Sequence, residues 1–222
     1  MTMRTLPAAL LVALTAAHAA WAQNYVVQSQ AMPYSPMAGG TVITTWSSSA
    51  DEGSFLVSLP FTFPYYGNNY NAVYVHTNGF LQLGSVCSSS CYTNRALPAT
   101  TGTIHNIIAP WWDDLEVDAP GQVKYLTSPS QVEVEWSNVA PFVASTPTMT
   151  LKVTLTAAGQ ILIHYGTVTG TGFTASTGFE DSTGAMGAAL LTCGASCTTA
   201  NFPSNTLYII GQPVQPDLVV QS

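Results

Sequence analysis

Hydrophobic and polar residues alternate along much of this chain with the period of a β-strand. In the segment Met149–Leu155, one face carries Met, Leu, Val and Leu, and the other carries Thr, Lys and Thr. Turn-forming residues, such as Ala158-Gly159 and the Ser-Pro-Ser at 128–130, separate segments of this kind. The pattern predicts antiparallel hairpins in sheets that have one buried face and one solvated face.

Strand-like segments recur through the chain, and helical periodicity is almost absent after residue 22. The predicted strands are Tyr25–Gln30, Thr41–Trp46, Phe55–Leu59, Ala72–His76, Phe80–Gly84, Ile107–Trp111, Gln122–Thr127, Gln131–Asn138, Met149–Ala157, Gln160–Val168, Ala175–Phe179, Ala185–Leu191 and Thr206–Ile210. We therefore expect an all-β fold, an antiparallel, jelly-roll-like β-sandwich of about 10–13 strands.

The first 22 residues have the layout of a cleaved secretory signal peptide. Arg4 provides a positive start, Leu6–Ala17 is an apolar run too short for a comfortable membrane span, and Ala20–Ala22 is an A-x-A cleavage pattern. No later segment approaches the length of about 18 apolar residues that a membrane helix needs. We expect a secreted or cell-surface protein with no membrane insertion after cleavage.

Charge is scarce in this chain and strongly acidic in balance. Only 7% of the residues are charged, while 47% are hydrophobic, which is too apolar for a disordered chain. Removing Arg4 with the signal segment leaves three basic residues, Arg95, Lys124 and Lys152, against eleven acidic ones, a net charge of −8. Because a nucleic-acid partner requires a basic surface, we expect none.

Four cysteines form two pairs with the spacing C-x-x-x-C: Cys87 with Cys91, and Cys193 with Cys197. In an exported chain an even number of cysteines predicts disulfides, and four cysteines allow three connectivities. Two local bridges are favoured because each pair lies in its own loop rich in small polar residues. Zinc bound by four thiolates is the alternative, although an oxidising compartment and this spacing both disfavour it.

A set of aromatic, Gly, Asn and Pro residues falls at fixed offsets between the short strands. Leu59–Gly84 reads LPFTFPYYGNNYNAVYVHTNGFLQLG, and Ile107–Leu115 reads IIAPWWDDL. The elements that carry the pattern are Leu59–Phe61, Tyr66-Gly67, Tyr70, Asn78–Phe80, Ile108–Pro110, Trp112, Asp114, Trp136, Tyr165-Gly166 and Gly178-Phe179.

This order of motifs resembles the nidogen-type extracellular domain and its bacterial exported relatives, over roughly residues 31–211. The resemblance implies an extracellular β-sandwich used in adhesion or surface assembly, with no known catalytic residues. The expected domain spans residues 23–211. Residues 212–222 form a Pro-punctuated linker or the start of a following module, because Pro216–Val220 (PDLVV) is similar to the opening of bacterial cell-adhesion-related modules.

Four carboxylates lie within six residues, at Asp113, Asp114, Glu116 and Asp118. Calcium prefers several oxygen ligands from a flexible loop, but the EF-hand spacing is missing, and a solvated strand-to-loop transition is the plainer interpretation. The resemblance implies that acidic residues recur at three places beside the same strands. The candidate polar and Ca²⁺-binding cluster is therefore Asp51, Asp113, Asp114, Glu180 and Asp181.

Aromatic side chains offer a second kind of candidate site. Tyr65, Tyr66, Tyr70, Trp111 and Trp112 have flat apolar faces with polar tips, which suit stacking on sugar rings, although packing in the core and at corners is the plainer interpretation. Adjacent residues in a strand point to opposite faces, so we expect one tryptophan ring inside and one outside. The Tyr65–Tyr70 turn and the Trp111–Asp118 loop are the predicted contact surface.

No catalytic motif of a known type is present in the sequence. Glu133 and Glu135 share one strand face and could form a glycosidase pair, but two acids on a strand are expected to be a solubilising face. His76 and His164 lie in strands, where we expect them to be satisfied partners in a sheet.

These observations favour a non-enzymatic adhesion or surface-interaction module with an extracellular protein or glycan ligand. A lectin-like carbohydrate-binding module and an accessory domain of a secreted hydrolase are the alternatives. The first would lose glycan binding when Trp111 or Trp112 is replaced, and the hydrolase alternative is distinguished by any turnover from the purified chain.

The signal segment generates the first testable prediction. Cleavage after Ala22 should release a secreted protein whose N-terminal residue is Gln23, because signal peptidase requires small residues at Ala20 and Ala22. N-terminal sequencing of secreted material measures this directly. A mature protein that retains Trp21, or one that stays in the cytoplasm, would contradict it.

Overall fold

The computed structural model describes residues 24–142, 148–169, 174–191, 193 and 196–212. Within these ranges the chain forms two antiparallel sheets that are not closed into a barrel, so the predicted β-sandwich is confirmed. The predicted signal segment, and all but the first residue of the predicted tail, lie outside the described residues. No helix in the described part is long and apolar enough to span a membrane.

Fourteen strands lie in the described residues. They are β1 (Val26–Ala31), β2 (Thr41–Val42), β3 (Ser54–Tyr65), β4 (Asn68–His76), β5 (Leu81–Leu83), β6 (Ile107–Trp112), β7 (Leu115–Glu116), β8 (Gln122–Thr127), β9 (Gln131–Pro141), β10 (Thr148–Thr156), β11 (Ile161–Thr169), β12 (Ser176–Glu180), β13 (Gly187–Ala189) and β14 (Thr206–Gly211). A short 3₁₀ turn, Thr199–Asn201, precedes the last strand.

The larger sheet has the order β1-β14-β11-β10-β9-β8-β2, with β7 paired to β9, and the smaller sheet has the order β13-β12-β6-β5-β4-β3. Consecutive strands stay in one sheet over β3–β6 and again over β8–β11, and short turns join β3 to β4, β8 to β9 and β10 to β11. The chain passes from one sheet to the other between β2 and β3, between β6 and β7, between β11 and β12, and between β13 and β14.

Strand β3 is longer than the pattern predicted, since it continues through Pro60 and Pro64 to Tyr65. Prolines cannot donate to a ladder, so a central strand would end there. β3 lies at the edge of its sheet, and its register with β4 shifts between Ser58 and Phe63. An edge position and a register irregularity are the two places where a sheet tolerates proline.

Aromatic side chains fill the space between the sheets and also connect them by hydrogen bonds. Trp136 of β9 donates from Nε1 to the carbonyl of His76 at 3.0 Å. Tyr165 of β11 donates from its hydroxyl to the carbonyl of Pro110 at 2.7 Å. Both side chains are fully buried, so their polar atoms require these partners.

Part of the outer face of the smaller sheet is covered by the irregular segment between β5 and β6, residues 84–106. Leu97 and Ile104 of this covering segment pack with Phe80, Ile107 and Trp112 in a second, separate hydrophobic cluster. The sheet therefore has two apolar faces, one toward the larger sheet and one under the covering segment.

A buried ion pair fastens the covering segment to the sheet. The carboxylate of Glu180 is fully buried and accepts two hydrogen bonds from Arg95, at 2.6 and 3.1 Å. It also accepts the backbone N–H of Ala99 at 3.0 Å and contacts His105 Nδ1 at 2.8 Å. Because both carboxylate oxygens are paired, the cost of burying this charge is offset.

The outer face of the larger sheet is covered in a comparable way by the segment before β2. Glu135, which is only 1% exposed, forms an ion pair with Lys124 at 3.0 Å. Its other oxygen accepts hydrogen bonds from the Tyr34 hydroxyl at 2.7 Å and the Met37 N–H at 2.6 Å. The expectation of a solvated, solubilising face at Glu133 and Glu135 is therefore wrong for Glu135, since residues 34–37 lie over it.

The Arg95–Glu180 pair generates a stability prediction. Arg95→Met should lower the free energy of unfolding by about 3–5 kcal/mol, because it leaves a buried carboxylate without its cation. Lys152→Met removes the same charge from a pair with Glu133 that stays partly exposed, and should cost about 1 kcal/mol or less. Urea unfolding measures both variants, and equal losses would show that the Glu180 pair does not hold the covering segment.

Candidate functional site

Three segments that flank strands meet at one end of the smaller sheet: residues 51–53, 77–79 and 113–117. Ser54 at the start of β3 pairs with His76 at the end of β4, so residues 51–53 lie beside residues 77–79. Thr77 donates its N–H to Gly53 at 3.0 Å, and its hydroxyl bonds to the carbonyl of Asp51. The strand ladder thus places Asp51 at the end of the sheet where β6 also finishes.

The Asn78-Gly79 turn connects the third segment, residues 113–117, to this end. Asn78 accepts the N–H of Leu115 on its side-chain oxygen at 2.7 Å, and its carbonyl accepts the N–H of Asp113 at 3.4 Å. Gly79 has φ +77°, and a Cβ there would collide with the carbonyl of Trp111, so only glycine fits this turn. The turn predicted from the sequence therefore positions Asp113 and its neighbours.

Six carboxylates come together in this way, and we call them the acidic end: Asp51, Glu52, Asp113, Asp114, Glu116 and Asp118. Within it, Asp51, Glu52 and Asp114 each place a carboxylate oxygen within 4.8 Å of the other two. All three side chains are partly exposed. This spacing suits oxygen coordination of a single hard cation.

Burial and mutual repulsion raise the pKa values at the acidic end. Burial, together with the charge of Asp114, raises the pKa of Asp113 to about 7. The pKa of Asp51 is raised first by burial and then by the charges of Asp114 and Asp118. The pKa of Glu52 is likewise raised first by burial and then by the charges of Asp51 and Asp114. The ionised carboxylates therefore destabilise one another unless a cation is present.

No cationic side chain of the described residues compensates this end. The basic residues Arg95, Lys124 and Lys152 are engaged with Glu180, Glu135 and Glu133, at 2.6, 3.0 and 2.9 Å. The Arg95 pair attaches the covering segment to the smaller sheet, and the two lysine pairs join neighbouring strands of the larger sheet. Negative charge at the acidic end is thus left for solvent ions to balance.

Two acids of the predicted cluster lie elsewhere. Strand β12 pairs antiparallel with β6, so that Ser176 faces Trp112 and Glu180 faces Ile107, at the opposite end from the acidic end. Asp181 follows Glu180 there and accepts hydrogen bonds from Thr183 and the Met186 N–H. The predicted convergence of all five acids is therefore wrong, and these two serve the local structure.

Glu52 is the residue of the three-carboxylate group that the sequence interpretation did not select. It follows Asp51 directly and was recognisable only as the second member of an acidic pair beside a turn. The hydroxyl of Ser49 accepts the backbone N–H groups of Asp51 and Glu52, at 3.3 and 2.9 Å, and so fixes their orientation. This Ser-x-Asp-Glu turn is the local signal that identifies Glu52.

Both tryptophans of the predicted ligand site are fully buried, so the expectation of one exposed ring is wrong. The alternation itself holds: Trp111 lies in the core between the sheets, stacked on Phe202 at 3.7 Å, and Trp112 points to the other face. There the covering segment encloses Trp112, whose Nε1 donates to the carbonyl of Cys91 at 2.7 Å. Neither ring is available to stack on a ligand.

The tyrosines of the predicted contact surface lie at the end opposite to the acidic end. Tyr65 is buried and donates to the carbonyls of Ile107 and Glu180, at 3.1 and 3.0 Å. Tyr66 on the turn between β3 and β4, and Tyr70 near the start of β4, are partly exposed. The Tyr65–Tyr70 turn and the Trp111–Asp118 loop are therefore two separate surfaces, because antiparallel strands carry them to opposite ends.

Both predicted local disulfides, Cys87–Cys91 and Cys193–Cys197, are present. The first lies in the covering segment, and the second lies between β13 and β14. The local connectivity is thus the one in the structure, and it leaves no free cysteine for zinc among the described residues.

The fold and site define an antiparallel β-sandwich with local disulfides and one acidic end. A family model described as "NIDO related" matches residues 24–219, and the chain belongs to this family. Neither the curated proteins nor the solved structures that were compared with the chain include a match. The family match confirms the nidogen-like resemblance, and the family and the disulfides together indicate an extracellular domain. The resemblance of the tail to an adhesion-related module stays a prediction.

Asp113 generates a prediction on pH. Its pKa is raised from 3.8 to about 7, mainly by burial. The stabilising contribution of the protonated carboxyl is therefore complete below about pH 3.8 and is lost as the pH rises through about 7. Relative to Asp113→Asn, the wild-type protein should become less stable across this range when divalent cations are absent.

The comparison with Asp113→Asn is needed because His76 acts in the opposite direction. Burial lowers the pKa of His76 from 6.5 to about 3, so the stability from its neutral form is lost as the pH falls below 6.5. Urea unfolding of both proteins from about pH 4.5 to 8 isolates the Asp113 contribution. A difference that stays constant with pH would show that Asp113 titrates normally.

Proposed function

We propose that this domain is a secreted, non-enzymatic adhesion or surface-interaction module, and that its acidic end binds Ca²⁺. The observation that carries the proposal is the six-carboxylate end without a compensating side-chain cation in the described part of the chain. Burial and then repulsion between the carboxylates raise the pKa values of Asp51, Glu52 and Asp113, and a divalent ion bound there relieves the repulsion.

The ligand atoms favour calcium over other divalent ions. Asp51, Glu52 and Asp114 provide carboxylate oxygens only, and the site takes no His or Cys ligand from the described residues. Carboxylate oxygens from loops, completed by carbonyls and water, suit the larger and more flexible coordination sphere of Ca²⁺ better than the strict octahedron of Mg²⁺. The extracellular setting supplies Ca²⁺ at the concentrations that weak surface sites require.

The placement of the acidic side chains supports a role without catalysis. Glu133 and Glu135, the candidate glycosidase pair, each form an ion pair with a lysine, and residues 34–37 lie over Glu135. His76 is buried and stacked on Phe80 at 4.1 Å, and His164 contacts the carbonyl of Met32 at 3.1 Å. These groups are engaged in structural contacts. The expectation of a satisfied histidine holds for His164, whereas Nε2 of the buried His76 has no hydrogen-bond partner within the described residues.

The covered sheet faces support recognition through loops. Residues 84–106 cover part of the outer face of the smaller sheet, and residues 34–37 lie over part of the larger sheet. The loops at the ends of the sandwich consequently offer much of the uncovered polar surface. We infer that an extracellular protein or glycan partner is bound at the acidic end, where Ca²⁺ orders the loops that contact it.

Calcium binding is tested by thermal unfolding with Ca²⁺ and with a chelator. If the site has an extracellular affinity of about 10⁻⁴–10⁻³ M, about 10 mM Ca²⁺ should stabilise the fold by about 1.4–2.7 kcal/mol and raise Tm by a few degrees. Asp51→Asn and Asp114→Asn should abolish most of this shift. Glu133→Gln removes the same charge at a distant place and should retain it.

Two results would contradict the proposal. Identical melting curves in Ca²⁺ and chelator would remove the metal site, and a full shift in Asp114→Asn would place it elsewhere. Capture of cell-wall or matrix material by immobilised domain, compared in Ca²⁺ and in chelator, tests the adhesive role. Turnover of glycoside or peptide substrates by the purified domain would overturn the non-enzymatic class.

A further inference from the structure

A groove of about 510 Å³ opens on the outer surface of the smaller sheet, next to the acidic end. Tyr74 of β4 lies between its two walls, because its neighbours Val73 and Val75 point into the core. One wall is the loop closed by the Cys87–Cys91 disulfide, and the other is the segment 47–54 before β3. Its volume lies within the range of about 300–1,000 Å³ typical of small-ligand sites.

The disulfide loop forms a rigid wall. The N–H of Cys87 donates to Oε1 of the buried Gln82 at 2.7 Å, and the carbonyl of Cys91 accepts from Trp112 Nε1 at 2.7 Å. Both ends of the loop are therefore attached to the sheet. A wall that is ordered before binding reduces the entropy lost when a ligand enters.

The opposite wall is ordered by its own serines. The hydroxyl of Ser47 accepts the N–H of Ser54 at 3.0 Å and lies 3.0 Å from the Ser54 hydroxyl. Ser49 orients Glu52, which contributes both to this wall and to the three-carboxylate group. The groove and the acidic end are therefore adjacent and share one carboxylate.

Hydroxyl groups dominate the chemistry of the groove. Ser48, Ser88 and Ser89 line it, and within the described residues their hydroxyls have no protein hydrogen-bond partner. Tyr74 and Tyr92 add aromatic faces, and Tyr92 is 43% exposed. Hydroxyls that both donate and accept, beside flat apolar rings, match the alternating hydroxyl and C–H faces of a sugar ring.

We propose that this groove binds an uncharged oligosaccharide, with Tyr92 and Tyr74 stacking on the rings and Glu52 accepting a hydrogen bond from a sugar hydroxyl. The inference deepens the proposed function, since it names the ligand class of the extracellular module, but the contacts do not require bound Ca²⁺.

Charge and polarity distinguish an oligosaccharide from other ligands. The described lining contains one carboxylate and no Lys or Arg, so a phosphate, sulfate or uronic-acid group would meet repulsion without a cation. Val86 is the sole aliphatic side chain in that lining, so an apolar peptide would leave the serine hydroxyls desolvated and unpaired.

The experiment uses the secreted domain and an array of neutral gluco- and N-acetylglucosamine oligosaccharides of two to six residues, with oligouronates as the anionic comparison. Saturation-transfer NMR or calorimetry then measures affinity for the best neutral oligosaccharide. Tyr92→Ala should weaken binding at least tenfold, and Ser48→Trp should block it by filling the groove. Tyr66→Ala removes a partly exposed tyrosine at the opposite end and should bind as the wild type does.

Several outcomes would overturn the inference: no neutral oligosaccharide binds, oligouronates bind better, or Tyr92→Ala binds normally. Circular dichroism and the melting temperature of each variant exclude misfolding as the cause of a loss. The calcium shift is measured on the same samples. Sugar binding that survives without any calcium shift would uphold the groove and remove the metal site, whereas a calcium shift without sugar binding would do the reverse.

Discussion

The outer layer of the smaller sheet depends on the ion pair between Arg95 and the fully buried carboxylate of Glu180. Arg95 reaches it from the covering segment with two hydrogen bonds, and Ala99 and His105 occupy its remaining acceptor positions. Without this pair, a segment of more than twenty residues would be held mainly by a small apolar cluster and the local bonds at Gln82 and Trp112. A charge buried in low dielectric requires its partner, so the pair fixes where the segment lies.

The small number of basic residues also explains why the acidic end carries uncompensated negative charge. The described residues hold three basic side chains, and each is bound to a glutamate on an outer sheet face. Those pairs serve stability and leave the six carboxylates of the acidic end to repel one another. Repulsion that the fold tolerates at this one place is typical of a binding site, since a ligand can relieve it.

The covering segment also connects stability with recognition. Its inner side chains enclose Trp112, and its disulfide loop forms one wall of the serine-lined groove. The tryptophan ring that the sequence suggested as a sugar-stacking surface instead anchors the loop that carries Tyr92. The aromatic surface available to a ligand is therefore displaced from β6 to the layer above it.

The sequence by itself determined the β-sandwich, most strand positions and the Asn78-Gly79 turn, because these depend on local periodicity and turn chemistry. It favoured the two local disulfides through the spacing of the cysteines, and its order of motifs indicated the nidogen-like family. It also selected Asp51, Asp113 and Asp114, which the fold brings to one end of the sandwich. Only the tertiary structure decided which acids meet, since strand order and direction send Glu180 and Asp181 to the opposite end. It alone decided that Glu135 and Trp112 are buried, because alternation predicts which face a side chain points to but not what covers that face.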